Sequence, residues 1–251
     1  MANWLGPVVM MVAVSGSAPL GHAAVEVAPT REMRDVVGWR VLIHVALWPS
    51  QTVEKERVLG LLAAQLGEIV RVVPAAAVAE MRKVPLYFSP EYEGIRPAAE
   101  YHPGAEWLRA NGRDPAMARG VEFTNTRVFE AECRRMPAFA LHELVHAYHD
   151  QVLGFDHVGV EAAYQKAKAA GIYEKVDQKD AEGRKHQTRA YALTNAKEYF
   201  AEGSEAYFST NDFFPHTRAE LERHDPVLYA LLTQIWGTPV AASPAATSEK
   251  P

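Results

Sequence analysis

The segment His142-Glu-Leu-Val-His146 constrains this chain more than any other part of it. Residues four positions apart lie one above the other on a helix, so both imidazoles can reach a single metal ion. Glu143 projects from the next position, where it can take a proton from a water molecule on that ion. Pro137 suits the start of such a helix, and apolar residues around the motif favour burial. The spacing therefore predicts a zinc site on a helix over residues 137–151.

A third protein ligand must come from outside this helix. The pattern with a third histidine ten residues after the first is excluded, because position 152 is valine and His149 stands in place of the glycine. A later helix carries Glu198, Glu202 and Glu205, which fall on one face. One of these carboxylates can bind the ion while a neighbour holds a ligand histidine by its other ring nitrogen. The alternative is a solvated acidic face, and the aromatic residues of the same helix argue against it.

The HELVH segment, a tyrosine at 191 and the later E-Y-F-A-E segment resemble the catalytic domain of anthrax lethal factor and its relatives. That group consists of gluzincin zinc peptidases, and the resemblance covers roughly residues 121–237. It implies a zincin-like fold, hydrolysis of peptide bonds and one zinc ion per chain. The residues implied as zinc ligands are His142, His146 and Glu198. The resemblance makes Glu143 the general base, Tyr191 the group that stabilises the oxyanion, and Glu202 a carboxylate that supports a ligand.

Composition narrows the classes of protein to which the chain can belong. Its 251 residues are 48% apolar and 23% charged, which excludes collagen-like, low-complexity and mostly disordered proteins. A net charge of −5, with Lys and Arg scattered, gives no electrostatic case for nucleic acid as the main partner. The single cysteine, Cys133, excludes an intrachain disulfide framework and is expected to be a small core residue. His149 is expected at the surface or beside a ligand.

The N-terminus combines an apolar run that ends at Val14 with small residues up to Ala23 and Ala24. This shape predicts a signal peptide over residues 1–24, and therefore a secreted or periplasmic protein. No Lys or Arg precedes the apolar run, so a disordered or core-packed N-terminus is the alternative. No other stretch is long enough to span a membrane.

The first half of the chain is predicted to contain most of the strands. Strands are expected over residues 39–47, 70–73, 85–88 and 121–129. Apolar residues at helical spacing predict a helix that begins after Ser50. Residues 89–120 are predicted to be a loop, because Pro, Gly, Asn and Asp occur there at the density of turns.

The second half is predicted to be mainly helical. Helices are expected over residues 137–151 and 160–170 and from Thr194, with a polar connector over 171–187. Asp225-Pro226 predicts an N-cap followed by proline at the first helical position. The final helix is expected to end at Trp236, before a disordered tail over 238–251.

These elements predict an α+β, zincin-like fold, with a small twisted sheet over the HExxH helix and a mainly helical C-terminal lobe. We expect one domain over residues 25–237, with lobes at about 25–150 and 151–237. The cleft between the lobes is expected to bind a peptide or protein substrate. Because peptides add as strands to sheet edges, residues 121–125 are the candidate edge and Asn125 a candidate substrate contact.

The pattern as a whole favours a zinc-dependent endopeptidase. In this hypothesis Glu143 activates a zinc-bound water, and Tyr191 donates a hydrogen bond to the developing oxyanion. The alternative is a non-catalytic binding protein on a zincin scaffold with structural zinc. The presence of Glu143 and Tyr191 counts against that alternative, since neither is needed merely to hold zinc.

Overall fold

The structure is a computed structural model, and it describes residues 30–48 and 52–238. Within these residues the chain forms seven strands and nine α-helices. The strands are β1 Arg31–Val36, β2 Trp39–His44, β3 Leu86–Phe88, β4 Ala99–His102, β5 Gly120–Phe123, β6 Val176–Lys179 and β7 Lys185–Thr188. The α-helices are α1 Val53–Val72, α2 Ala75–Met81, α3 Ala105–Ala110, α4 Phe129–Arg135, α5 Phe139–Tyr148, α6 Val158–Ala170, α7 Ala196–Phe208, α8 Arg218–His224 and α9 Pro226–Trp236.

Five strands form one sheet in the order β1-β2-β3-β5-β4, and its three inner strands are parallel. β1 and β4 pair antiparallel with their neighbours and form the two edges. Every residue of β3 and β5 is buried, as expected of parallel strands that are covered on both faces. Gly120 is required at the start of β5, because a Cβ there would lie 2.5 Å from the ring of Tyr87. The edge strand β4 contacts the HExxH helix.

The HExxH helix α5 lies between the sheet and the C-terminal helices. It contacts α1, α2, β4 and β5 on one side and α7 on the other. Phe139, at its first position, packs edge-on against the rings of Phe123 and Phe129. Eight of its ten residues are buried, so α5 is held by packing on nearly all sides.

α7 is the central helix of the C-terminal part, with contacts to α5, α6, α8 and α9. It begins after Asn195, whose side chain accepts hydrogen bonds from two backbone amides of the first turn. Asp225 caps α9 by accepting a hydrogen bond from the amide of Leu228. The same carboxylate accepts hydrogen bonds from the hydroxyls of Tyr173 and Tyr199, which ties α9 to α7.

The α+β fold class is confirmed, with a small sheet against the HExxH helix and a mainly helical remainder. The strands predicted over 39–47 and 85–88 correspond to β2 and β3. The first long helix begins at Val53 and is capped by Thr52, while Ser50 lies outside the described residues. The strand predicted over 70–73 is wrong, because these residues end α1, where Ile69 and Val72 continue its buried face.

Two segments contain strands that were not predicted. The loop predicted over 89–120 contains β4 and α3, and the connector over 171–187 holds the β6–β7 hairpin. Because β4 pairs with β5, β5 lies inside the sheet. The prediction of an edge strand over residues 121–125 is therefore wrong.

The helices predicted for the second half are confirmed as α5, α6 and α7, and a π-helical turn, His149–Leu153, continues α5. α9 follows the predicted N-cap and ends at Trp236. The predicted signal peptide over 1–24 lies outside the described residues, as does the predicted tail beyond residue 238, and both stay predictions. Among the helices that the structure describes, none is long and apolar enough to cross a membrane.

Gly203→Ala is expected to destabilise the fold at the contact between α7 and α9. A Cβ at Gly203 would lie 2.5 Å from Cδ2 of Leu228 and 3.1 Å from its Cγ, and Leu228 is 1% exposed. Overpacking costs about 1–3 kcal/mol, against about 1 kcal/mol gained from the helix propensity of alanine. We expect the free energy of unfolding, measured by urea denaturation, to fall by about 1 kcal/mol.

Gly67→Ala is the matched control, since a Cβ at this position of α1 meets nothing within 4 Å. Its free energy of unfolding should rise by about 0.5–1 kcal/mol. Equal stabilisation by the two substitutions would contradict the close contact between α7 and α9.

Candidate metal centre

α5 brings the two motif histidines together on one side of the helix. His142 and His146 are 4% and 9% exposed, and their Nε2 atoms lie 3.1 Å apart. Their ring centroids are 4.7 Å apart, with the rings nearly perpendicular. Two imidazole nitrogens at this distance are stabilised by a proton or a cation that they share.

α7 supplies the third group from its first turn. Oε2 of Glu198 lies 3.1 Å from Nε2 of His142 and 3.2 Å from Nε2 of His146. The three atoms therefore form a nearly equilateral triangle. Ligands arranged tetrahedrally about 2.0–2.1 Å from zinc lie about 3.3 Å from one another, so the triangle fits a zinc ion with a fourth position open. The three predicted ligands are brought together.

The charges of these groups favour a cation between them. Burial opposes ionisation of the Glu198 carboxyl, but the imidazoles of His146 and His142 outweigh it and hold the pKa of this carboxyl far below its usual range. Burial also opposes the charged form of His142, yet Glu198 and Glu205 raise the pKa of this imidazole well above its usual value. The surroundings thus stabilise positive charge, which a divalent cation supplies.

Glu205, rather than Glu202, holds the far side of His142. Oε1 of Glu205 lies 2.6 Å from Nδ1 of His142, whereas the nearest oxygen of Glu202 is 3.9 Å away. A carboxylate at 2.6 Å keeps the proton on Nδ1, which leaves the lone pair of Nε2 free to bind a metal. Glu202 instead accepts a hydrogen bond from the side chain of Asn211 at 3.0 Å. The resemblance makes Glu202 the carboxylate that supports a ligand, whereas at His142 the structure places Glu205 in that position.

The carboxylates behind His142 form a second group of close ligand atoms. Nδ1 of His142 and one oxygen each from Glu202 and Glu205 lie within 4.8 Å of one another. Burial raises the pKa of both carboxyls above the usual range, and their mutual repulsion adds to the rise for Glu202. Because Glu205 already accepts the Nδ1 proton, this group supports the first triangle rather than competing with it.

Glu143 lies beside the triangle, against the edge strand. The backbone N–H of Tyr101 in β4 donates a hydrogen bond to Oε2 of Glu143 at 2.8 Å. Burial raises the pKa of the Glu143 carboxyl, and the imidazoles of His142 and His146 limit the rise. The carboxylate is thus held by one oxygen, and its second oxygen can accept a proton.

Tyr191 lies at the entrance to the site. It opens the single 3₁₀ turn Tyr191–Leu193 that leads into α7. Its ring centroid is 6.5 Å from that of His142, and the residue is 44% exposed. The structure therefore places the predicted oxyanion donor next to a predicted ligand, on the loop that enters the Glu198 helix.

Asn125 does not lie on a free edge. It follows the inner strand β5 and is 2% exposed. Its predicted contact with substrate loses its basis, because β4 covers the side of β5 on which a peptide was expected. The free edge beside α5 belongs to β4.

Sequence reasoning missed the part that Tyr101 plays at the site. Tyr101 contacts Glu143 across 42 positions, so no local spacing could reveal the contact. Cys133 is partly buried at the margin of the core, and its Sγ accepts a hydrogen bond from the side chain of Gln65.

His149 is fully buried rather than at the surface. It lies between the rings of Phe155 and Phe200, and neither ring nitrogen has a hydrogen-bond partner among the described residues. Burial lowers the pKa of His149 to about 4, so the ring is neutral at pH 7 and packs against aromatic rings beside the end of α5.

Comparison with known proteins adds little to this geometry. No protein-family model matches the chain, and no curated protein matches it. The chain is similar to the solved structure of the Pro-Pro endopeptidase PPEP-2 from Paenibacillus alvei. The two are 15% identical, the match covers 80% of this chain and 99% of the other, and the TM-score is 0.41. At this level the similarity carries no functional conclusion.

Glu205→Gln is expected to weaken zinc binding about 10-fold or more, because it removes the negative charge that holds the Nδ1 proton of His142. Affinity is measured at pH 7 by competition with a chromophoric chelator. Glu202→Gln is the matched control on the same helix, and its affinity should stay close to that of the wild type. A larger loss for Glu202→Gln than for Glu205→Gln would contradict the assignment of Glu205.

Proposed function

We propose that the chain is a zinc-dependent endopeptidase in which His142, His146 and Glu198 hold one zinc ion. The observation that carries the proposal is the triangle of two Nε2 atoms and one Oε2 atom, with sides of 3.1–3.2 Å, beside Glu143. Structural zinc sites usually have four protein ligands, whereas catalytic sites have three and keep one position open. Three converging ligands therefore support a catalytic site.

Glu143 is proposed as the group that moves the proton. Zinc, when bound, lowers the pKa of a coordinated water and polarises a carbonyl oxygen. Glu143 takes the proton from the attacking water and delivers it to the leaving amine. The N–H of Tyr101 holds one carboxylate oxygen during this transfer, and burial raises the pKa of the Glu143 carboxyl above its ordinary value.

Tyr191 is proposed to stabilise the oxyanion. Its hydroxyl is the hydrogen-bond donor, and such a donor acts most strongly when negative charge develops on the carbonyl oxygen. Its position at the entrance to α7 and its 44% exposure support access to a bound peptide. The relationship to anthrax lethal factor, which implied this role, rests on the residue pattern alone.

An extended peptide is proposed as substrate, bound along the free edge of β4. The carbonyls of Ala98 and His102 accept hydrogen bonds from residues that flank β5, so the backbone groups of Ala99 and Tyr101 point away from it. On that side the N–H of Tyr101 is already bonded to Glu143, so a peptide is proposed to pair with the carbonyl of Tyr101 and the backbone of Ala99. A peptide added to β4 passes this carboxylate along its length, which supports cleavage within a chain.

The rival function is a non-catalytic binding protein with structural zinc. It accounts for His142, His146 and Glu198, and it leaves the placement of Glu143 and Tyr191 without a purpose. Substitution of these two residues therefore separates the two functions.

Glu143→Gln is expected to retain zinc and fold while the rate of peptide cleavage falls by about 10² or more, because the proton acceptor is lost. Zinc-loaded wild type and variant are incubated with a mixed peptide library, and products are measured by mass spectrometry. Zinc content is measured in parallel by elemental analysis. Equal cleavage by the two proteins, or none by either, would rule out the enzyme and leave the binding protein.

Tyr191→Phe in the same assay tests the role of the Tyr191 hydroxyl separately from the proton transfer by Glu143. We expect kcat to fall by roughly 10²–10³, with little change in KM, because the oxyanion exists only along the reaction path. A fully active Tyr191→Phe beside an inactive Glu143→Gln would keep zinc hydrolysis and remove Tyr191 from the mechanism.

A further inference from the structure

The edge strand and the HExxH helix are joined at a second point, beyond Glu143. The π-helical turn that continues α5 carries Asp150, seven residues after Glu143. Glu143 and Asp150 both contact Tyr101, so their side chains lie on the same side of this continuous helix. π-helical turns of this kind are frequent at functional sites.

Tyr101 is bound at both of these points. Its backbone N–H donates to Oε2 of Glu143 at 2.8 Å, and its hydroxyl donates to Oδ2 of Asp150 at 2.6 Å. The side-chain amide of Gln151 donates to the Tyr101 hydroxyl oxygen and to the carbonyl of Arg119, each at 3.1 Å. One residue of β4 is therefore held by one helix through its backbone and through the tip of its side chain.

Of the two hydrogen bonds at the Tyr101 hydroxyl, the one to Asp150 is expected to contribute more than the one from Gln151 to holding β4 in register. A hydroxyl donating to a carboxylate at 2.6 Å is a charge-assisted hydrogen bond, and Tyr101 and Asp150 are both partly buried. β4 is four residues long and pairs with the sheet on one side, through β5. A short edge strand held in this way depends on contacts outside the sheet for its position.

We infer that Asp150 is a positioning residue, which acts through Tyr101 to keep the backbone N–H of β4 on the carboxylate of Glu143. The consequence for catalysis rests on the proposed function, whereas the hydrogen bond itself does not. With Asp150 in place, one oxygen of Glu143 is occupied and the other is left for the attacking water. Without it, the strand moves from α5 and Glu143 loses its fixed orientation.

Amide hydrogen exchange at Tyr101 tests the inference without reference to activity. In the full-length, zinc-loaded protein, exchange of this amide is measured by NMR in wild type, Asp150→Ala, Asp150→Asn and Tyr101→Phe. We expect exchange about 10-fold faster in Asp150→Ala and Tyr101→Phe, since a hydrogen bond to a charged group is lost. Asp150→Asn keeps an acceptor and should stay closer to wild type. Unchanged exchange at position 101 in Asp150→Ala would overturn the inference.

Two controls separate this effect from general loss of structure. The amide of Val41, in the inner strand β2, should exchange at the wild-type rate in all variants if the fold is intact. Asp156→Ala, an exposed aspartate in the loop after the π-helical turn, should leave exchange at Tyr101 unchanged. If Asp150→Ala speeds exchange at Val41 and at Tyr101 alike, Asp150 supports the fold as a whole and the positioning role is wrong.

The catalytic consequence is tested by combining substitutions. Asp150→Ala is expected to lower kcat about 10-fold at full zinc content, and to cause no further loss in a Glu143→Gln background, because it acts through Glu143. Additive losses would contradict action through Glu143. If wild type shows no cleavage that depends on Glu143, the proposed function fails, and exchange at Tyr101 still decides whether Asp150 holds the strand.

Discussion

The contact between α5 and α7 is the interaction on which the site depends. It brings imidazoles and carboxylates from distant parts of the chain into the interior, where burial penalises every charge. Each group meets a partner there: Glu198 lies against two imidazoles, and Glu205 holds the far side of His142. A cation at the triangle of ligand atoms stabilises the whole set, so metal binding and the packing of the two helices reinforce each other.

Features that depend on the spacing of residues along a single helix could be predicted from the sequence. The spacing of His142 and His146, and that of Glu198 and Glu205, determines which side chains share a helix face, whatever surrounds the helix. The spacing could not show which carboxylate touches His142, because that depends on how α7 is rotated against α5. Fold class followed from the same local patterns, since long periodic helices outweigh errors in short strands.

Long-range pairing limited what could be predicted of the sheet. β4 has the sequence Ala-Glu-Tyr-His and lacks a run of β-branched residues, so its strand conformation comes from β5 and α5 rather than from propensity. Its presence moves β5 inside the sheet and places a free edge beside Glu143. Residues 70–73 show the reverse case, since Val70 and Val72 lie in the last turn of α1 and Val73 is its C-cap, despite the strand propensity of valine. The role of Tyr101 could not be predicted either, because it depends on contacts with Glu143 and Asp150, which lie more than 40 positions away in the sequence.

A crystal structure of the zinc-loaded protein, with anomalous data at the zinc absorption edge, tests the central claim most directly. The account predicts one strong anomalous peak per chain, about 2.0–2.2 Å from Nε2 of His142, Nε2 of His146 and Oε2 of Glu198. A peak on the other side of His142, between Nδ1 and the carboxylates of Glu202 and Glu205, would contradict it, as would a peak away from α5 and α7.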